Sequence, residues 1–126
     1  MKASRAAYLF GPPLVFQALI YFLSSRQLPA GPQGSDKILH FGAYGFLALL
    51  WIRALSGGTW LPTPGRAVAA AAIATLFGLS DEFHQSFVPG RDASGFDLLA
   101  DALGAISAAA VCSVRAARSR ADAGGL

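Results

Sequence analysis

Ten polar side chains able to bind a ligand or move a proton lie in two short segments of an otherwise apolar chain. Three of them, Lys37, His40 and Tyr44, fall at i, i+3 and i+7, so a helix would present them on one face. The set supplies cations, carboxylates and hydrogen-bond donors, which suits recognition of a polar head group. The candidate ligand-binding residues are Lys37, His40, Tyr44, Asp81, Glu82, Gln85, Arg91, Ser94, Asp97 and Asp101.

Carboxylates dominate the second segment and could transfer protons. Asp81 and Glu82 are adjacent. Two neighbouring carboxylates at low dielectric hold their protons with different strength, which suits an acid/base pair. Arg91 either grips a ligand or clamps these carboxylates as part of the scaffold. The candidates for catalysis are Asp81, Glu82 and His40.

Other residues in these segments have structural explanations. Ser94 and Asp97 have the spacing of a capping box, with Asp in place of Glu or Gln, and would start a helix there. Asp36 is expected to cap the helix that carries Lys37. A Ser94 nucleophile with His40 as base and Asp97 as orienting group is conceivable in role only, because no G-x-S-x-G elbow supports it.

Neither a metal centre nor a cofactor is expected. Suitable oxygen and nitrogen ligands are present, but no H-E-x-x-H or comparable spacing joins them. The single cysteine, Cys112, excludes a cysteine cluster and a disulfide framework. His84 lies off the helix face that Asp81 and Gln85 share, and is expected at the membrane interface.

Four apolar helices must position these side chains. Of the 126 residues, 54% are hydrophobic and only 13% are charged. This fraction of charged residues is about half that of an ordinary soluble domain. Segments rich in Pro and Gly, at 29–34, 57–65 and 89–90, separate the apolar runs. The runs and their polar turns predict helices near residues 6–25, 37–55, 66–87 and 96–114. Each is about long enough to cross roughly 30 Å of hydrocarbon. The prediction is one domain, residues 1–126, with an all-α fold: a four-helix transmembrane bundle.

Local features of the helices add further expectations. Pro12 and Pro13 should kink the first helix or delay its start to Pro13. Trp51 and Trp60 flank one end of the second helix and are expected in an interfacial belt. Small residues at every fourth position should let helices three and four approach closely. These small residues are Ala70, Ala74 and Gly78 on one helix, and Ala100, Gly104 and Ala108 on the other.

Charges sort to the two sides of such a bundle. Seven of the ten cations fall on the side of the two termini: Lys2, Arg5, Arg53, Arg66, Arg115, Arg118 and Arg120. By the positive-inside rule, both termini face the cytoplasm of a multi-pass cell-membrane protein. Six of the seven acids lie on the opposite side. The basic flanks suit contact with anionic lipid, and a nucleic-acid partner is not expected.

The polar segments carry a recognisable pattern. One reads K-x-x-H-F-x-x-Y, and the other reads D-E-x-x-Q-x-F-x-P-x-R-x-x-S-x-x-D. At these residues, over about 36–104, the sequence resembles the VanZ-like family of small membrane proteins. The family commonly has Asn where this chain has Asp101, and this departure bears on the hydrogen-bond pattern of the site.

The resemblance implies a membrane protein of the cell envelope. The family is named for a protein that confers low-level resistance to teicoplanin, a lipoglycopeptide antibiotic. The expected function is binding of an amphiphile or lipid at the outer leaflet, which links the chain to lipoglycopeptide tolerance. Expected partners are a membrane lipid or a lipid-linked envelope molecule, with the lipoglycopeptide itself as a further candidate. The alternative is a membrane enzyme that acts on a lipid-linked envelope intermediate with a carboxylate acid/base pair.

Overall fold

The computed structural model describes residues 1–26, 31 and 34–125, so most of the predicted first turn lies outside the described residues. Four helices make up the fold: α1 Ala3–Ser24, α2 Ser35–Leu55, α3 Pro64–Gln85 and α4 Gly95–Gly124. The described part of the chain contains no strand. The predicted all-α, four-helix architecture is therefore confirmed.

Two helices are longer than the sequence suggested. α1 begins at Ala3 and continues through Pro12 and Pro13, so its start is not delayed to the proline pair. α4 continues ten residues beyond the predicted end and reaches Gly124. Its added segment is rich in Ala and Arg, which are strong helix formers even where charge excludes them from a membrane.

Membrane-spanning character is clear for three of the four helices. α1, α2 and α4 are long and apolar enough to cross a bilayer. α3, with 22 residues, has the length. Its interior consists largely of alanine, which is less hydrophobic than leucine or isoleucine, and it carries Arg66, Asp81 and Glu82. α3 therefore does not reach the hydropathy of the other three.

The surface of the bundle is apolar and much of its centre is small or polar. Large hydrophobic side chains are exposed along all four helices, among them Val15, Ile38, Leu76 and Ile106. The buried residues include several alanines together with Asp81, Asp97 and Asp101. A soluble protein would hide such an apolar surface, whereas lipid tails solvate it.

Glycines set the closest approach between helices, and they do so mainly between α2 and α4. A Cβ atom on Gly45 would lie 3.2 Å from the backbone oxygen of Gly104, and one on Gly104 would collide with the backbone oxygen of Phe41. Gly104 therefore packs on α2. On α3, Gly78 is buried and faces Asp101 of α4, so the small residues of α3 do pack on α4 as expected.

Trp51 is a core residue, which corrects the interfacial position predicted for it. Its side chain is buried and stacks on Phe77, with ring centroids 6.2 Å apart. On the α1 side, the centroid of the Phe10 ring lies 6.2 Å from the centroid of the Trp51 ring. Trp60, by contrast, is exposed. Trp51 belongs to the same buried hydrophobic cluster as Ala70 and Ala74 of α3.

The bundle has two chemically different ends. At one end the termini meet the α2–α3 loop, where Arg53 donates to the Tyr8 carbonyl and Arg120 to the Pro62 carbonyl. At the other end the last residues of α1 and α3 meet the first residues of α2 and α4. We call this second end the polar end, because it holds all ten candidate residues of the sequence analysis.

Candidate functional site

A cavity of about 240 Å³ opens at the polar end among α1, α2, α3 and the α3–α4 loop. Its apolar lining residues are Ile20, Leu23, Leu39 and Ala43. Its polar lining residues are Ser24, Asp36, His40, Tyr44, Asp81, Gln85 and Arg91. Five of the ten predicted residues thus line one cavity, and the other five lie around it.

Asp81 is buried, and hydroxyl groups hold its carboxylate. One oxygen accepts a hydrogen bond from the Ser24 hydroxyl, and the other accepts one from the Tyr44 hydroxyl at 3.2 Å. Asp81 is only 1% exposed. The contribution of Ser24 was not predicted, although its position at the polar end of the first helix could have indicated it. Tyr44 and Ser24 therefore position Asp81, and Asp81 ties α1 to α2 and α3.

Glu82 and Ser94 together start α4. The Ser94 hydroxyl accepts a hydrogen bond from the Phe96 backbone amide at 3.2 Å, as the predicted cap requires. The carboxylate of Glu82 accepts a hydrogen bond from the backbone amide of Ser94 itself. A capping box normally fills that role with the third helical residue, but Asp97 is directed elsewhere. Glu82 thus serves the cap from the neighbouring helix.

Lys37 forms an ion-pair triad with two carboxylates. Its Nζ lies 2.5 Å from Asp97 Oδ1 and 2.8 Å from Asp36 Oδ2. The triad joins the first turns of α2 and α4. The predicted cap at Asp36 is wrong, because Gly34, with φ of 84°, occupies the N-cap position and Asp36 lies in the first turn. A carboxylate in the first turn still favours the helix dipole.

His40 pairs with Asp101, and not with Asp97. Nδ1 of His40 lies 2.7 Å from Asp101 Oδ1. Asp101 is fully buried, and its Oδ2 has no hydrogen-bond partner among the described residues. The arrangement of Ser94, His40 and Asp97 considered for a serine nucleophile is therefore not formed. Instead, the buried carboxylate of Asp101 binds Nδ1 of the imidazole, and His40 lines the cavity.

Arg91 makes no salt bridge within the part of the chain that the structure describes. Its Nε donates to the backbone oxygen of Ser24 at 3.2 Å. The predicted clamp on Asp81 or Glu82 is therefore wrong, and hydroxyl groups and a backbone amide satisfy those carboxylates instead. The remaining guanidinium nitrogens have no partner among the described residues, and Arg91 lines the cavity.

Gln85 is the second cavity residue with unused hydrogen-bonding capacity. It is 3% exposed, it lines the cavity, and no described residue makes a hydrogen bond to its side-chain amide. Buried polar groups are normally paired, so an amide without a described partner beside a guanidinium bound only to one backbone oxygen indicates a place for a ligand. Among the described residues, Arg91 thus uses part of its side-chain hydrogen-bonding capacity and Gln85 uses none of it.

His84 lies outside the cavity lining. His84 stacks on Tyr21 with ring centroids 4.2 Å apart, which places it between α1 and α3. Among the residues that the structure describes, no group of three or more His, Cys, Asp or Glu side chains is placed to hold a metal ion.

Comparison with known proteins gives one result. Neither the curated proteins nor the solved structures contain a significant match. A family model described as VanZ/LLP1 matches residues 6–116, which include nearly all of α1, α2 and α3 and most of α4. The match confirms the resemblance seen in the two polar segments and extends it to α1. The chain is a VanZ-like membrane protein and belongs to the VanZ/LLP1 family.

Proposed function

We propose that this chain is a multi-pass protein of the cell membrane whose cavity binds the head group of an amphiphile at the outer leaflet. Both termini then lie in the cytoplasm, because seven of the ten cations flank that end of the bundle. In this orientation the polar end faces outward. Occupancy of the cavity lowers susceptibility to lipoglycopeptides such as teicoplanin, a role that the family membership supports.

The observation that carries this proposal is the pair of unused groups in the cavity. Within the described part of the chain, Gln85 makes no side-chain hydrogen bond, and Arg91 makes no salt bridge and one hydrogen bond, to the Ser24 backbone. A guanidinium recognises phosphate and carboxylate well. Lys37 and Tyr44, expected to grip the ligand, are engaged with protein carboxylates and serve as positioning residues.

The size of the cavity restricts the ligand. Pockets for drug-sized molecules enclose about 300–1,000 Å³, and this one encloses about 240 Å³. A head group fits such a volume, whereas the body of a glycopeptide antibiotic is far larger. The apolar lining residues Ile20, Leu23 and Leu39 suit contact with an acyl chain. The ligand is thus a membrane lipid or a lipid-linked envelope molecule.

Drug susceptibility tests the proposal. Wild type, Arg91→Gln and Arg26→Gln are expressed at equal membrane abundance in a susceptible host. Arg26 is the matched control, because it is a cation at the same end that lies over the Phe22 ring and not in the cavity. We expect Arg91→Gln to lose most of the protection against teicoplanin and Arg26→Gln to keep it. Full protection by Arg91→Gln would overturn the proposal.

A second candidate function, catalysis on a lipid-linked envelope intermediate, is favoured by one observation. His40 lines the cavity and is held on Nδ1 by the buried carboxylate of Asp101. An imidazole oriented in this way can accept a proton through its other nitrogen. The sequence favoured Asp81 and Glu82 as the acid/base pair, but the scaffold engages both of them. The base in this alternative is therefore His40.

A further inference from the structure

The charges around the cavity do not balance. Five carboxylates line or surround the cavity, and two permanent cations, Lys37 and Arg91, accompany them there. The carboxylates are Asp36, Asp81, Glu82, Asp97 and Asp101. Two further charged residues of this end, Arg26 and Asp92, are exposed, lie outside the cavity lining and have opposite signs. The surroundings of the cavity therefore carry an excess of negative charge.

The ion pairs do not remove this excess. Lys37 is shared between Asp36 and Asp97, so the triad as a whole remains negative. Asp81 is bonded by two hydroxyl groups, which stabilise its charge without neutralising it. Asp36 is the exposed carboxylate of the cavity lining, whereas Asp81 is buried. A positive group entering the cavity would therefore meet Asp36.

Arg91, in contrast, favours an anionic group in the cavity. Among the described residues its guanidinium donates only to the Ser24 backbone oxygen, and it lines the same cavity as Gln85, a buried polar side chain without a described partner. A purely cationic ligand would leave both unused. A purely anionic ligand would bind Arg91 but would face the excess of carboxylates at low dielectric. Only a ligand with both charges satisfies the whole cavity.

We infer that the cavity selects a zwitterionic phospholipid head group with a primary ammonium, whose phosphate binds Arg91 and Gln85 and whose ammonium binds Asp36. A primary ammonium has three N–H donors for carboxylate oxygens, whereas a trimethylated ammonium has none. The small volume also favours the primary form. This inference rests on the proposed function and names its ligand class.

Head-group competition tests the inference. The full-length protein in detergent is titrated with phosphatidylethanolamine, phosphatidylcholine or phosphatidylglycerol of identical acyl chains, and bound lipid is counted by native mass spectrometry. We expect phosphatidylethanolamine to bind about tenfold more tightly than either of the others, as one added charge-assisted hydrogen bond would give. A long-chain alkylamine, which lacks the phosphate, should bind weakly.

Two variants assign the contacts. Asp36→Asn is expected to fold, because Asp36 is exposed, and to lose the preference for phosphatidylethanolamine over phosphatidylglycerol. Arg91→Gln should weaken the binding of every phospholipid, and Arg26→Gln should leave the binding of all three unchanged. Equal binding of the three head groups, preference for phosphatidylglycerol, or tight binding of the alkylamine would overturn the inference and leave the proposed function standing. Binding of no lipid at all would overturn the proposed function itself.

Discussion

Asp101 is the residue where the site of this chain departs from the family pattern. It is fully buried, and only one of its oxygens, the one 2.7 Å from His40 Nδ1, has a partner among the described residues. The other oxygen lies against Gly78, where a Cβ atom would come within 2.9 Å of it. The absence of a side chain on Gly78 thus makes room for the carboxylate. An asparagine has nearly the same shape and keeps one oxygen.

Replacement of Asp101 separates the hydrogen bond from the charge. Asp101→Asn should retain the bond to His40 and keep the melting temperature in detergent close to that of the wild type. Asp101→Ala should lower it by several degrees, since an unpaired buried polar group costs about 1–3 kcal/mol. If the Asn variant is as unstable as the Ala variant, the charge and not the bond holds the pair. Teicoplanin protection should follow stability if the protein is a binder.

Glu82 distinguishes a scaffold from an acid/base catalyst. Glu82→Gln keeps an oxygen for the Ser94 amide, so the α4 cap, stability and drug protection should all persist. Glu82→Ala should destabilise the fold by about 1 kcal/mol, the usual value of a lost cap. A general acid/base would instead lose activity by about 10²–10⁴-fold on Glu82→Gln. Loss of protection in Glu82→Gln at unchanged melting temperature would contradict the structural role.

At the scale of the helices, α2 and α4 depend on close backbone contact. Gly104 touches the backbone of Phe41 and Gly45, so no side chain fits there. Gly42 is the matched control, because a Cβ atom on it would meet nothing within 4 Å. The contact holds the first turns of α2 and α4 together, which in turn brings Lys37 to Asp97.

The two glycines should therefore respond in opposite directions. Gly104→Ala is expected to lower the melting temperature, since the backbones must separate. Gly42→Ala should leave it unchanged or raise it slightly, because Ala is favoured over Gly in a helix by up to about 1 kcal/mol. Thermal unfolding of both variants in the same detergent gives the comparison. Equal tolerance of the two changes would show that α2 and α4 do not pack as described.

The helices also show which features of the structure can be predicted from the sequence. Helix number, approximate bounds and the ten polar residues follow from periodicity and from the cost of charge in lipid, and the structure places all ten at one end. The partners of the charges do not follow. The sequence left Arg91 either to the ligand or to a clamp on the carboxylates, whereas hydroxyl and amide groups, among them Ser24, donate to Asp81 and Glu82. Such choices depend on tertiary distances that spacing along one helix does not encode.

At the scale of the whole molecule, the apolar surface indicates a membrane environment, and the asymmetry of charge predicts the orientation in the membrane. The end with the termini carries most of the cations, and the polar end carries most of the acids and the cavity. Cation bias sets orientation in membranes, while acids contribute little to it. In the orientation that we propose, the cavity opens to the outer leaflet, where an envelope lipid would reach it.

Cysteine labelling of intact cells checks this orientation. In a Cys112→Ala background, we expect a cysteine at Asp92 to react with a membrane-impermeant reagent from outside. Cysteines at Thr59 and Ala121 should react only after lysis. All three positions are exposed and have negative φ, so a side chain is accepted. Labelling of Thr59→Cys in intact cells would reverse the proposed orientation.

Lipid retained by the purified protein measures the central claim most directly. The claim is that Arg91 and the cavity at the polar end hold the head group of an amphiphile. Wild type, Arg91→Gln and Arg26→Gln are purified from the same membranes in a mild detergent, and the bound lipid per protein is counted by native mass spectrometry. The account predicts retained lipid in the wild type and in Arg26→Gln, and its loss in Arg91→Gln at an unchanged melting temperature. Equal lipid in all three proteins would contradict it.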